Sequence, residues 1–204
     1  GCGGLALGFE SAGFRTVGYE KETVAAATYS RNLNGQCITK ELGVEDDYPE
    51  IDLIVGGPPC QPFSVIGYQR GKRDQRDGFP IFLDAVKRKL PKIAIIENVR
   101  GLLYRNKEYL RSTISELEKF GYTVSVQLLK AVNFGVPQNR ERLFIVASTV
   151  GWSWPIALVN SPITAGVALG DLAFEAPNNA RYLTESMDQY IAEYEKKSQC
   201  INPR

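Results

Sequence analysis

Histidine is absent from this 204-residue sequence, and features that mark several other protein classes are missing as well. Without histidine, and with four widely spaced cysteines that form no C-x-x-C pair, the chain lacks the usual zinc ligand sets. The same spacing argues against a disulfide framework. No apolar run approaches the roughly 20 residues of a membrane-spanning helix, and no leader resembles a signal peptide. These absences favour a cytoplasmic protein without a zinc site of the usual kinds and without a membrane span.

The net charge is only +1, so composition alone does not indicate a nucleic-acid partner. The basic residues are nevertheless grouped in two places: Arg70, Lys72, Arg73 and Arg76, and then Arg100, Arg105, Lys107 and Arg111. Such groups usually form solvated faces without a partner. Because each group follows a candidate catalytic segment, the alternative is a basic rim that binds a phosphate backbone.

The pattern of apolar residues predicts an α/β fold with a doubly wound, mostly parallel sheet. Predicted helices cover 22–32, 79–90 and 107–119, and predicted strands cover 51–56, 93–97, 122–129 and 142–148. Beyond residue 150 the pattern is less periodic, apart from a helical stretch near 185–197. We therefore expect one α/β domain over 1–150 and an irregular C-terminal segment over 151–204.

Cys60 lies in the segment that carries the most chemical information. It follows an apolar, β-branched strand (Ile51–Val55), two glycines and the pair Pro58-Pro59, which fixes φ and removes backbone donors. A lone cysteine usually packs as a small apolar residue. A packing cysteine does not need two prolines before it and the polar Gln61 after it. The pattern favours a nucleophile at the carboxyl end of a sheet strand, where open α/β folds bind ligands.

Three further segments accompany the segment around Cys60. The first is the glycine-rich start Gly1-Cys2-Gly3-Gly4, followed by the acidic residue Glu20, and the second is Glu97-Asn98-Val99 at the end of a predicted strand. The third carries two arginines separated by one residue and reads Phe134-Gly135-Val136-Pro137-Gln138-Asn139-Arg140-Glu141-Arg142. The glycine-rich start and the Glu97-Asn98-Val99 motif are each weak evidence of function when taken alone. The four segments together, in this order over residues 1–148, closely resemble the motifs of the C5-cytosine DNA methyltransferases of bacteria.

The resemblance implies a Rossmann-like, S-adenosylmethionine-dependent methyltransferase fold. It implies methyl transfer to C5 of a flipped-out cytosine in duplex DNA, with S-adenosylhomocysteine as the product and no metal. Cytosine C5 is a poor nucleophile, so a thiolate first adds at C6. By resemblance, Cys60 is that thiolate and Glu97 is the acid or hydrogen-bond donor at N3.

The remaining roles are implied in the same way. Arg142 is expected to bind the flipped base, together with Arg140 and Gln138 beside it, because a planar guanidinium donates hydrogen bonds in a fixed geometry. Gln61, Ser64 and Asn98 are expected on the substrate side.

On the cofactor side, Gly1, Cys2, Gly3 and Gly4 are expected to bring backbone N–H groups to the methionine carboxylate. Glu20, with Lys21 next to it, is expected to accept from the ribose hydroxyls. Ile38, Thr39 and Pro59 complete the expected cofactor contacts. The family usually has an aspartate about twenty residues before the nucleophile, and the neighbourhood of Ile38 lacks one.

Alternatives remain open at this stage. Neither a target-recognition domain nor the late motif of the family is recognisable in 150–204, so we expect a truncated chain or one subunit of a split enzyme that needs a complementary C-terminal chain or domain. A tRNA cytosine-5 methyltransferase with the same core is the second hypothesis. A Rossmann oxidoreductase fits poorly, because the glycine pattern is not G-x-G-x-x-G.

Overall fold

The computed structural model of the chain describes residues 1–59, 77–158 and 163–169. Six α-helices are found there: α1 (Gly4–Ser11), α2 (Thr23–Asn32), α3 (Phe79–Lys89), α4 (Gly101–Tyr104), α5 (Lys107–Lys119) and α6 (Ala165–Leu169). The strands of the same part are β1 (Val17–Glu20), β2 (Gln36–Thr39), β3 (Leu53–Gly56), β4 (Ile93–Val99), β5 (Thr123–Lys130) and β6 (Glu141–Ser148). The helices and strands predicted between 22 and 148 are confirmed to within two residues at each end. The helical stretch expected near 185–197 lies outside the described residues.

The strands form two hydrogen-bonded sheets. β1 and β2 pair in parallel, and a four-stranded sheet has the order β3-β4-β6-β5. Within that sheet β3 is parallel to β4, whereas β6 is antiparallel to β4, with Ile96 opposite Ile145. The parallel pairings agree with the prediction. The antiparallel strand does not follow from the apolar pattern, which carries no information on strand direction.

Helices α3 and α5 cover the larger sheet with apolar faces. Phe79, Phe82 and Val86 of α3 are buried, as are Leu110 and Leu117 of α5, at the spacing of an amphipathic helix. They pack with Ile96, Leu102, Leu143, Ile145 and other residues in one core. α3 has a proline in its first turn. It is followed by Leu90, which has a positive φ, caps the helix and precedes Pro91. The core therefore fixes the central strand β4 and the helix that follows it.

Contacts between Cα atoms divide the chain into two compact units. The first comprises 1–129 and 141–154, and the second comprises 130–140 and 155–204. The described part of the second unit contains a 3-10 turn (Ala131–Phe134) and α6, and the N–H of Leu158 donates to the carbonyl of Asn133 at 3.0 Å. The boundary expected at residue 150 stays a prediction.

No helix in the described ranges is long and apolar enough to cross a membrane.

Candidate active site

The carboxyl ends of β3 and β4 meet at the turn that leads toward Cys60. Strand β3 ends at Gly56, and Gly57-Pro58-Pro59 follows it directly. The side-chain amide of Asn98 donates to the carbonyl of Pro58 at 3.0 Å, and its Oδ1 accepts from the N–H of Val99 at 2.9 Å. Asn98 is only 6% exposed. Its amide thus holds the proline turn, because a buried amide needs partners. The substrate contact expected of Asn98 stays a prediction.

Glu97 and Arg142 form an ion pair at this end of the sheet. Val99 lies opposite Arg142 and Glu97 opposite Phe144 in the antiparallel register, so Glu97 and Arg142 are diagonal neighbours on one face. Nε of Arg142 lies 2.9 Å from Oε1 of Glu97, with 25% and 28% of the two side chains exposed. Nη1 of Arg142 also donates to the carbonyl of Glu141 at 2.8 Å. Two of the predicted catalytic side chains are therefore in direct contact.

The second carboxylate oxygen of Glu97 faces Gly57. A Cβ built on Gly57 would lie 3.2 Å from Oε2 and 3.7 Å from the carbonyl oxygen of Glu97. A side chain at position 57 would therefore crowd that oxygen. Glycine here leaves space beside the carboxylate, at the point where the chain turns toward Cys60.

A second ion pair links the end of β4 to the start of β6. Nη1 of Arg100, just after β4, lies 2.9 Å from Oε2 of Glu141, the first residue of β6. The guanidinium side chain is largely exposed, so the pair contributes little to stability. It places a cation of the second basic group close to the candidate site.

Several predicted residues lie outside the described part of the chain. Cys60, Gln61 and Ser64 are among them, as are all four cations of the first basic group. The residues that flank them are described. The carbonyl of Pro59 accepts from the N–H of Gly78 at 3.1 Å, so the chain positions before and after 60–76 are bonded to each other.

Several of the predicted cofactor residues lie near the carboxyl end of β1, whereas Pro59 follows β3. Gly3 precedes α1 with φ of +92°, and a Cβ there would lie 2.7 Å from Cδ1 of Leu33 and 2.8 Å from Cδ2 of Tyr29. Only glycine fits this backbone and this space. The amino group of Gly1 contacts Oε2 of Glu20, and the N–H of Glu22 donates to Oε1 at 2.8 Å.

Glu20 is the last residue of β1, and its carboxylate accepts from the backbone N–H of Glu22. An ionised carboxylate at a strand end is the acceptor that ribose hydroxyls require. The adjacent strand brings Ile38 opposite Tyr19 and Thr39 opposite Glu20. The glycine segment, Glu20 and β2 therefore lie together, as a nucleoside-binding edge requires.

The other predicted residues are less closely associated with either group. Lys21 is exposed, with Nζ 4.0 Å from a carboxylate oxygen of Glu41. Cys2 is an exposed free cysteine. Gln138 and Arg140 belong to the second unit, where the N–H of Arg140 donates to the carbonyl of Gln138 at 2.9 Å. Their expected roles stay predictions.

Sequence reasoning missed Asp77 and Tyr109. The hydroxyl of Tyr109 in α5 donates to Oδ2 of Asp77, directly before Gly78, and Oδ1 accepts from the N–H of Phe79 at 3.1 Å. The signal for Asp77 was present, since Asp-Gly-Phe-Pro is a helix-start pattern. No local pattern indicates that Tyr109 is its partner.

Within residues 1–59, 77–158 and 163–169, no three Cys, Asp or Glu side chains are grouped to hold a metal ion.

Comparison with known proteins gives a consistent result. A family model described as C-5 cytosine-specific DNA methylase matches residues 1–201. The chain is 54% identical over 208 residues to the Type II methyltransferase M.AplI of Arthrospira platensis, covering all of this chain and 60% of that relative. It is 41% identical over 151 residues to the Type II methyltransferase M.FnuDI of Fusobacterium nucleatum, covering 72% of this chain and 44% of the relative. The chain thus spans about half of the length of these relatives.

Solved structures show the same fold at lower identity. A prophage-encoded protein of E. coli, described as a candidate DNA modification methyltransferase, matches with a TM-score of 0.70 and 24% identity, covering 85% of this chain and 53% of that one. The Dnmt2 methyltransferase of S. pombe matches with a TM-score of 0.59 and 24% identity, covering 76% and 50%. The predicted α/β, Rossmann-like methyltransferase fold is confirmed.

Proposed function

Because this chain belongs to the C-5 cytosine-specific DNA methylase family, we propose that it carries the catalytic core of an enzyme that methylates C5 of cytosine in duplex DNA. The observation that carries the proposal is the contact between Glu97 and Arg142, 2.9 Å apart beside the Gly57-Pro58-Pro59 turn. The two curated relatives described above are both named Type II methyltransferases, which supports a role in a restriction–modification or orphan modification system.

Cys60 supplies the nucleophile in this proposal. Its thiolate forms a bond to C6 of cytosine, and electron density moves through the ring toward N3. Glu97 holds a proton or a hydrogen bond at N3 and so stabilises that charge. C5 becomes an enamine carbon and accepts the methyl group. Loss of the C5 proton then expels the Cys60 thiolate and restores the aromatic ring.

The residues at the end of β1 fit S-adenosylmethionine. The glycine segment leaves no room for a side chain at Gly3, and the carboxylate of Glu20, which accepts from the N–H of Glu22 at 2.8 Å, lies at the place for a ribose. When bound, S-adenosylmethionine supplies a methyl group on a positively charged sulfur. Gly3 and Glu20 position it, and neither residue takes part in bond making.

Arg142 holds the acid in place. Its Nε binds Oε1 of Glu97, which leaves Oε2 on the side where Gly57 provides space. A base that enters there meets a carboxyl group of fixed orientation. Since C5 and C6 are inaccessible inside a duplex, the target cytosine has to leave the stack, and we propose base flipping.

Covalent trapping tests the proposal. The full chain is incubated with S-adenosylmethionine and duplex DNA containing 5-fluorocytosine, whose C5 substituent cannot be lost as a proton. A denaturation-resistant protein–DNA adduct is expected, and Cys60→Ser abolishes it. Cys200→Ser, which removes a thiol far along the sequence from every predicted site residue, is the matched control and retains the adduct.

Parallel incubations with methyl-labelled cofactor separate the alternatives. Label in duplex DNA supports the proposal, and label in total tRNA alone overturns the choice of substrate. If neither accepts label until a complementary C-terminal chain is added, the core is one part of a split enzyme. An adduct that persists in Cys60→Ser contradicts the assigned nucleophile.

A further inference from the structure

Helix α1 depends on its neighbours rather than on the core for its position. It follows Gly3, whose backbone N–H is expected to face the cofactor, and no residue of α1 is buried. Burial in the core therefore does little to fix the first turn of α1, and contacts with neighbouring residues become decisive. Such contacts are found at both ends of the helix, and they involve α2 and the turn that follows it.

At the start of α1, the ring of Tyr29 lies against both Gly3 and strand β1. Tyr29 belongs to α2 and is only 4% exposed. A Cβ built on Gly3 would lie 2.8 Å from Cδ2 of this ring, and a Cβ built on Gly18 in β1 would lie 2.8 Å from Cε2. The position of one aromatic ring therefore limits where the glycine segment and the strand that ends in Glu20 can lie.

The hydroxyl of Tyr29 belongs to a chain of three polar side chains. Oγ1 of Thr16 donates to Oε1 of Glu10 at 2.6 Å and lies 2.8 Å from the hydroxyl oxygen of Tyr29. An ionised carboxylate only accepts, and the hydroxyl of Thr16 has a single proton, so the hydroxyl of Tyr29 is the donor to Thr16. Donation therefore runs from Tyr29 through Thr16 to Glu10.

Glu10 connects the last turn of α1 to the turn after α2. Its Oε2 accepts from the N–H of Asn34 at 2.9 Å, and its Oε1 accepts from the N–H of Gly35 at 2.8 Å. A Cβ on Gly35 would lie 2.9 Å from Oε1 of Glu10 and even closer to Oγ1 of Thr16, so glycine leaves room for this contact. One network therefore holds the end of α1 and the hydroxyl of Tyr29.

We infer that Tyr29 is a positioning residue for cofactor binding: its ring holds Gly3 in place, and the donation from its hydroxyl through Thr16 to Glu10 fixes the ring. The inference rests on the proposed function, which assigns Gly3 to S-adenosylmethionine. Tyr29 acts through the backbone of Gly3 in this account, and contact between its own side chain and the cofactor is not required.

Thr16→Val tests the inference, because it removes the acceptor of the Tyr29 hydroxyl and the donor to Glu10 but keeps a branched side chain of similar size. Thr16→Ser is the conservative variant, since it keeps the hydroxyl. Tyr122→Phe is the control for the loss of a tyrosine hydrogen bond elsewhere. Tyr122 is buried, as Tyr29 is, and donates to the carbonyl of Pro91 at 2.7 Å, just before β4.

The readout is the Kd for S-adenosylhomocysteine, measured by isothermal titration calorimetry on the full chain. Thr16→Val is expected to raise this Kd about ten-fold, which corresponds to about 1.4 kcal/mol. Tyr29→Phe is expected to raise it as well, and the double variant is expected to add little to Thr16→Val, because both substitutions remove one contact. Thr16→Ser and Tyr122→Phe are expected to leave the Kd unchanged. The rate of methyl transfer at saturating S-adenosylmethionine is expected to be unchanged in Thr16→Val, since only binding is affected.

An unchanged Kd in Thr16→Val would overturn the inference, and so would an equal rise in Thr16→Ser, which keeps the hydroxyl. An equal rise in Tyr122→Phe would overturn it as well, because the effect would then follow from the loss of any tyrosine hydrogen bond. If the unsubstituted chain binds no S-adenosylhomocysteine, the proposed cofactor site fails and the inference falls with it. That outcome is distinct from equal Kd values among variants that bind.

Discussion

The ion pair between Glu97 and Arg142 gives a quantitative prediction. Nε and Oε1 are 2.9 Å apart, but about a quarter of each side chain is exposed to water. Fully exposed pairs contribute about 0.2–1 kcal/mol, whereas breaking a buried pair costs about 3–5 kcal/mol. With this exposure, we expect a coupling free energy of about 1 kcal/mol or less between the two side chains. The hydrogen bond from Nη1 to the carbonyl of Glu141 adds about 0.5–1.5 kcal/mol to the cost of Arg142→Ala.

A double-mutant cycle measures the coupling. Glu97→Gln, Arg142→Ala and the double variant are unfolded in urea at neutral pH, and the non-additive part of the free energy of unfolding is the coupling. The activity is expected to fall far more than the stability, by about 10²-fold or more for Glu97→Gln, because general acid catalysis contributes about 10²–10⁴-fold. Loss of activity without loss of fold is the signature of a catalytic pair.

The pair Asp52–Lys92 is the control for this cycle. Its atoms are equally close, at 2.8 Å, but both side chains are largely exposed and lie just before β3 and β4, at the opposite ends of those strands. No measurable coupling is expected there, and no change in activity. A coupling above about 3 kcal/mol for Glu97 and Arg142 would refute the argument from their exposure to water. A loss of activity that is no larger than the loss of stability explains would refute the catalytic role of Glu97.

Two further predictions concern the glycine segment and its neighbours. Gly3→Ala is expected to destabilise the chain by about 1–2 kcal/mol because of the positive φ alone, and contact with Tyr29 adds to this cost. Gly4→Ala is expected to be neutral or stabilising, because a Cβ there meets nothing within 4 Å. Thermal unfolding of the two variants distinguishes them. The pKa of the Glu10 carboxyl is lowered, first by the hydroxyl of Thr16 and then by the backbone N–H groups of residues 34 and 35. The ionised carboxylate therefore contributes to the free energy of unfolding above the ordinary pKa of 4.5, and this contribution is lost as the pH falls through the lowered pKa. Glu10→Gln should therefore lower the urea midpoint at pH 7, with the difference narrowing below about pH 4.5; a difference independent of pH would contradict this reasoning.

Local periodicity predicted most of the elements but not their arrangement. The helix expected over 107–119 is present as Lys107–Lys119, because its apolar residues recur at helical spacing and bury one face. The strand Gln36–Thr39 was missed, since four residues with a polar start give little signal. The direction of β6 could not be predicted either, because alternation of apolar residues is the same for parallel and antiparallel strands.

In the candidate site, too, the sequence indicated individual residues but not which of them are in contact. The motifs gave Glu97 and Arg142 as separate candidates, and only the antiparallel register makes them neighbours. The amide of Asn98 binds the carbonyl of Pro58, forty positions away in the sequence, a contact that no local pattern indicates, and its expected place on the substrate side stays a prediction. Asp77 and Tyr109 were missed for the same reason. Contacts across long sequence separations depend on the fold, which no short pattern encodes.

The antiparallel placement of β6 also has a consequence for biosynthesis. Since β6 runs antiparallel to β4, its first residues lie beside the last residues of β4. Arg142 comes long after Glu97 in the sequence and reaches it only when β6 docks. A nascent chain that has completed β3, β4 and their helices holds Glu97 without its cation. The docking of β6 therefore buries Leu143 and Ile145 in the core and joins Glu97 to Arg142 in the same event, so the ion pair exists only once β6 has joined the sheet.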